Sequence, residues 1–182
     1  MTRDIAGSFN HAFGEVFPLP DAAFNEAAVV PGTDGQKMSK SYGNTIEIFA
    51  EGKALQKTVM SIVTDSTPAD APKNPDACNA FALYKLFATP AEVAETADLY
   101  RNPMTGAELR GGRPFGYGDA KAQLLGKIDA YFAAARERRK QLACDPGLVE
   151  EVLGAGARRA RAVAQVTLQI VRQAVGIHPR PV

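Results

Sequence analysis

One short run, Ala27-Ala28-Val29-Val30, is the only segment of this sequence that reads as a buried strand, and a single strand cannot make a sheet. The rest of the chain has to find its core with helices. A mainly α fold is therefore expected, with the front of the chain belonging to a sheet whose other strands are not in this sequence.

The helical pattern supports this. Thr2–Val16 places Ile5, Phe9, Ala12, Phe13 and Val16 on one face, with Thr2 as the cap and Pro18 and Pro20 as the stop. Helices are expected over Lys53–Val63, Cys78–Ala88 and Ala91–Tyr100, the last opened by Thr89-Pro90. Residues 101–118 carry five glycines and two prolines and read as a long loop. Three more helices are expected: a long one over Asp119–Leu142, a short one over Gly147–Leu153, and a final one over Arg158–Val175 closed by Gly176.

Composition excludes several classes. No run of about 18 apolar residues exists, so no segment reads as a membrane-spanning helix. Met1–Ile5 has no long apolar core, and no secretory signal is expected. Cys78, Cys144, His11 and His178 are scattered rather than paired, so no structural zinc site is expected, and free thiols in a reducing cytoplasm follow. The net charge of +1 conceals a split. Residues 1–109 hold 8 Lys/Arg against 14 Asp/Glu, whereas residues 110–182 hold 13 against 6. The basic half fits a surface that meets phosphates, or a set of solvated helix faces.

The segment that carries chemistry is the glycine-bearing loop from Pro31 to Asn44. Within it, Lys37-Met38-Ser39-Lys40-Ser41 sets two ammonium groups three residues apart, close enough for both to reach one polyphosphate. Ser39 and Ser41 add neutral donors, and Gly32, Gly35 and Gly43 allow backbone N–H groups to approach closely. Such a device stabilises charge on a departing pyrophosphate by position and electrostatics.

That pentapeptide, after a short apolar run and before a helical region, resembles the second ATP motif of class I aminoacyl-tRNA synthetases. The likeness extends to the tryptophanyl branch. It is carried by Thr2-Arg3-Asp4-Ile5-Ala6 with Phe9-Asn10, by Thr64-Asp65-Ser66, by Gly116-Tyr117-Gly118 with Ala120-Lys121, and by Ala157–Ala164. The resemblance implies that residues 1–45 are the end of a Rossmann-like α/β catalytic domain and that 46–182 are a helical anticodon-binding domain. It implies that Lys37 and Lys40 are catalytic, that Lys37, Met38, Ser39, Lys40 and Ser41 bind ATP, and that the backbone at Val29 or Val30, together with Met38, borders the adenine. Magnesium is expected to accompany the ATP, with tRNA(Trp) and L-tryptophan as the other substrates. A homodimer is expected for the full-length protein, in the cytoplasm. The family's first ATP motif and most of its tryptophan pocket are absent from this sequence, so the isolated chain is expected to be inactive. The alternatives are a non-catalytic RNA-binding helical module and a piece of a tyrosyl-type enzyme.

Two basic clusters are candidates for tRNA contact. Arg136, Arg138, Arg139 and Lys140 close one expected helix, where positive charge suits the C-terminal end. Arg158, Arg159 and Arg161 open another, where it does not, unless Glu150 and Glu151 neutralise them. Residues 101–115 exceed the usual family length and read as a surface insertion, or as an extra RNA contact through Arg110 and Arg113.

Overall fold

The computed structural model describes residues 1–24 and 29–177 and is mainly helical. Ala27 and Ala28 of the expected strand lie outside the described residues, and Val29 and Val30 belong to no strand. Among the described residues the only β pairing is one antiparallel bridge, Pro31 with Lys37. The chain divides into two compact units, residues 25–138 and residues 1–24 with 139–182.

In the unit of residues 25–138, α2 (Gly52–Met60) is shorter than its periodicity suggests. Ser61 closes it, with the hydroxyl donating to Thr58 O at 2.8 Å, and Ile62 is buried beyond the helix end. A single 3-10 turn at Pro75–Ala77 leads into α3 (Asn79–Tyr84). The next helix, α4 (Pro90–Arg101), starts on a full capping box: Glu92 N–H donates to the Thr89 hydroxyl, and the Glu92 carboxylate accepts from Thr89 N–H. A further 3-10 turn, Ala107–Arg110, breaks the long glycine-rich loop before α5 (Tyr117–Ala143). Leu55, Val59, Ile62, Phe81, Leu83, Tyr100, Phe115, Leu124 and Ile128 make the core. Each such side chain contributes about 1.5–3 kcal/mol on full burial. Tyr100 lies at its centre, fully buried between the rings of Phe81 and Phe115, with its hydroxyl 3.2 Å from Cys78 Sγ.

Buried polar groups fix the long loop. Lys73 is almost fully buried, and its ammonium donates to Ala69 O at 2.7 Å, Ala71 O at 2.8 Å and Phe115 O at 3.4 Å. Burial pushes it below the usual lysine value, against the opposing pull of Asp70 and Asp65. Arg110 donates to Pro103 O and Thr105 O, and Arg113 forms a two-pronged pair with Asp119. Both guanidiniums of the loop are thus engaged in closing it.

The other unit contains α1 (Thr2–Phe13), the C-terminal end of α5 from Arg139, and α6 (Pro146–Ala174). The first helix ends three residues earlier than expected because Gly14, at φ 92°, leaves the helical region before the prolines are reached. Met1 rather than Thr2 is its capping residue. Asn10 then ties the following chain back, accepting from Val16 and Phe17 N–H and donating to Phe17 O at 2.7 Å, while the Phe9 ring meets Phe13 and Phe17.

The two C-terminal helices expected from the sequence are one continuous helix. Gly154 and Gly156 sit inside α6; each costs about 1 kcal/mol against alanine, too little to break a 29-residue run. This also corrects the reading of Arg158, Arg159 and Arg161. They lie in mid-helix, far from the positive helix end, and none pairs with Glu150 or Glu151 among the described residues.

Two segments 52 residues apart in sequence meet where Tyr117 donates its hydroxyl to Asp65 Oδ1 at 2.7 Å. Partial burial, and then this bond, push the Tyr117 phenol up to about 12 from an ordinary 10.0. The fold therefore favours the neutral phenol. Its contribution is intact below pH 10 and is lost as pH rises from 10 through about 12. Tyr117→Phe should cost about 1 kcal/mol in urea unfolding at pH 7. The gap between variant and wild type should narrow between pH 10 and 12, and a gap independent of pH would exclude the bond to Asp65 as its source.

Candidate functional site

The loop from Val30 to Asn44 is a hairpin whose shape follows from a few donors and acceptors. Met38 N–H donates to Val30 O at 2.9 Å, Gly32 N–H to Gln36 O at 2.6 Å and Gly35 N–H to Gly32 O at 3.1 Å. Gly35 makes the turn at φ 85°, a conformation that side chains disfavour. Asp34 accepts from Gln36 N–H at 3.0 Å, closing an Asx turn at the tip. The hairpin is also joined to the residues after α2, since Val63 N–H donates to Thr33 O at 2.7 Å and Asn79 Nδ2 to Val63 O at 3.2 Å.

Asn44 is the root of the loop. Its side chain is 3% exposed and uses both ends: Oδ1 accepts from Ser39 N–H at 2.8 Å, while Nδ2 donates to Asp34 Oδ1 at 2.7 Å and to Lys37 O at 3.3 Å. Its carbonyl accepts from Thr33 N–H at 2.9 Å. One side chain thus touches the tip, the start of the Lys37–Ser41 segment and its middle. The Asn44 amide holds Asp34's carboxyl below the usual carboxylate value. A Cβ on residue 32 would overlap the Asn44 amide, which accounts for Gly32. Nothing in the sequence reading picked out Asn44. The signal was present, since an asparagine directly after a glycine, at the end of the serine- and lysine-bearing segment, suits a loop closed by its own side chain.

The Lys37–Ser41 segment itself is presented outward. Ser39 caps the 3-10 turn Lys40–Tyr42, its hydroxyl accepting from Ser41 N–H at 3.3 Å and lying 2.8 Å from Ser41 Oγ. Gly43, at φ 66°, ends the turn and donates to Lys40 O. Lys37, Lys40 and Ser41 are exposed, and neither lysine forms an ion pair among the described residues. Met38 points the other way, into an apolar cavity of about 210 Å³ that Val30 also lines. Val29 is exposed. The result is a rigid base carrying two exposed ammoniums and two hydroxyls, an arrangement that can grip a polyanion.

The basic clusters separate. Arg158, Arg159 and Arg161 are exposed on α6, and Arg139 is exposed on α5. Arg136 is 3% exposed and is no surface contact for RNA; its guanidinium is spent on Ile48 O and Asp129 within the protein.

The hairpin carries the pentapeptide on which the resemblance to class I aminoacyl-tRNA synthetases rests, and the comparison with the sequence family shows that class. The chain belongs to the tRNA synthetases class I (W and Y), whose family model matches residues 1–132. Among curated relatives it is similar to tryptophan–tRNA ligases: 48% identical to that of Rhodopirellula baltica over 178 residues, 97% of this chain and 52% of the relative. The corresponding protein of Neisseria meningitidis is 43% identical over 98% of this chain and 50% of the relative. Among solved structures, the tryptophanyl-tRNA synthetase of Campylobacter jejuni complexed with ADP and tryptophane superimposes with a TM-score of 0.73 at 43% identity, over 96% of this chain and 52% of that one. The chain spans about half the length of the relatives it matches.

Asn44→Ala should release the Ser39 amide and leave Asp34 and Lys37 O without their partner, at a cost of about 1–3 kcal/mol. Hydrogen exchange on the chain should show faster exchange at Met38 and Ser39 with α4 unchanged. Equal protection in variant and wild type would mean that Asn44 does not hold the loop.

Proposed function

We propose that this chain is the later part of a tryptophan–tRNA ligase, which joins tryptophan to ATP as the aminoacyl-adenylate and then transfers it to tRNA(Trp). The observation that carries the reading is the Lys37–Ser41 segment, held outward on the Asn44-rooted hairpin in a chain similar to tryptophan–tRNA ligases along nearly its whole length. The tryptophan names of these relatives favour this over a tyrosyl-type enzyme.

In this reading the tryptophan carboxylate attacks the α-phosphorus of ATP, the bond to the bridging oxygen breaks, and pyrophosphate leaves. The Lys37 and Lys40 ammoniums meet the leaving phosphates, where negative charge grows, and Ser39 and Ser41 donate neutral hydrogen bonds beside them. The backbone at Val29 or Val30, together with Met38, borders the adenine. Magnesium would accompany the ATP and would offset part of the negative charge on its phosphates beside Lys37 and Lys40. Residues 1–45 are the end of the Rossmann-like catalytic domain and 46–182 the anticodon-reading region. Arg158, Arg159 and Arg161 on α6, with Arg139, offer exposed positive charge to tRNA. The full-length protein is a homodimer of the cytoplasm. The exposed arginines of α6 also support a second reading, an RNA-binding helical module without catalysis, which tryptophan-dependent ATP–pyrophosphate exchange by the full-length protein would exclude.

On its own, this 182-residue chain should exchange pyrophosphate only at background, since a loop without the remainder of the site cannot align the reactants. Robust tryptophan-dependent exchange would contradict this division of labour. In the full-length protein, Lys40→Ala should slow adenylate formation by about 3–4 kcal/mol in activation free energy with little change in ATP affinity. Pre-steady-state adenylate formation measures it. A large rise in the ATP dissociation constant at unchanged rate would contradict the assignment.

A further inference from the structure

The segment that leaves the loop, Thr45–Ala50, contains no helix or strand, yet it is held against α5 in two ways. One is apolar: Met38, Ile46 and Ile48 line the same cavity as Phe87, Ile128 and Phe132. The other is polar. Arg136 donates from Nε to Ile48 O at 2.9 Å, and from Nη1 to Asp129 Oδ1 at 2.6 Å and Asp129 O at 3.3 Å. The guanidinium is almost completely buried, and its Nη2 has no hydrogen-bond partner among the described residues.

Burying an arginine with one donor unsatisfied is costly, and an apolar side chain of similar volume would fill the place with less penalty. What the guanidinium supplies is geometry. Its planar fork fixes Ile48 O and Asp129 at set distances and angles, which a lysine ammonium on a flexible stem does not. Ile48 lies nine residues beyond Ser39 and four beyond Asn44. The carbonyl that Arg136 grips therefore belongs to the short leash by which the loop is attached to the helical region.

We propose that Arg136 is a positioning residue for the ATP loop. By clamping the leash to α5 it sets where the Asn44-rooted hairpin, and with it Lys37 and Lys40, stands. Movement of α5 then reaches the lysines through a rigid link rather than a slack one. The proposal rests on the reading that Lys37–Ser41 acts on ATP.

Two measurements test it. In this chain, Arg136→Met should speed amide exchange across Met38–Asn44 by about tenfold while the α4 amides stay within about twofold, and Arg136→Lys should fall between the two. In the full-length protein, Arg136→Met should lower kcat for adenylate formation with KM for ATP little changed. Its effect should be strongly sub-additive with Lys40→Ala, because a displaced lysine has little left to lose. Equal slowing in both backgrounds, or faster exchange spread evenly over α4 and the loop, would make Arg136 a general stabiliser and overturn the clamp. If Arg136→Met does not fold, Arg136→Lys carries the same comparisons. A silent Lys40→Ala would refute the reading of the loop itself, whatever Arg136 does to exchange.

Discussion

The buried amide of Asn44 is the interaction on which the functional geometry depends. A surface hairpin carrying two lysines and two serines would ordinarily sample many shapes, and a polyphosphate would have to order it on binding at an entropic cost. Here one side chain joins Asp34, Lys37 and Ser39 to the loop's own exit. Glycine at 32 leaves it room, and glycine at 35 makes the turn it closes. The donors are arranged before any ligand arrives, and preorganised donors lower a barrier where charge develops.

The helical unit of residues 25–138 serves as the support for that hairpin. Its apolar core around Tyr100 is ordinary, but three polar links decide how the pieces stand. Tyr117 to Asp65 ties the start of α5 to the residues after α2, Lys73 gathers residues 69–71 and Phe115, and Arg136 holds the leash at Ile48. Each includes a bond between segments distant in sequence, and the Lys73 and Arg136 groups are buried and would be costly to leave unpaired. Two of the segments that carry the family resemblance, Thr64-Asp65-Ser66 and Gly116-Tyr117-Gly118, thus meet through a single hydrogen bond.

Much of this was legible in the sequence, and the residues show why the rest was not. Thr89-Pro90 announced α4, because a capping threonine and a first-turn proline act locally. The mainly helical fold followed from a lone apolar run with no partner. Gly154 and Gly156 misled, since glycine weakens a helix without ending it when good formers stand on both sides. Gly14 misled in the opposite sense, ending α1 through a backbone angle that the hydrophobic pattern does not encode. Arg136 was read with its basic neighbours as surface charge, though every fourth residue of a helix faces the same way, and Leu124, Ile128 and Phe132 on that face lead directly to it. The Lys37–Ser41 segment was recognisable by its chemistry, while Asn44 was not, because its role exists only once the hairpin is folded.

The most direct test of the account is a crystal structure of the full-length protein with ATP and magnesium bound. The account predicts that the Lys37 and Lys40 ammoniums lie within about 4 Å of the phosphate oxygens. The Asn44 bonds to Ser39 N–H and Asp34 should remain as they are without the nucleotide. Phosphates bound away from the loop, or a loop that breaks the Asn44 bonds to reach them, would contradict the claim that this hairpin is built in advance to hold a polyphosphate.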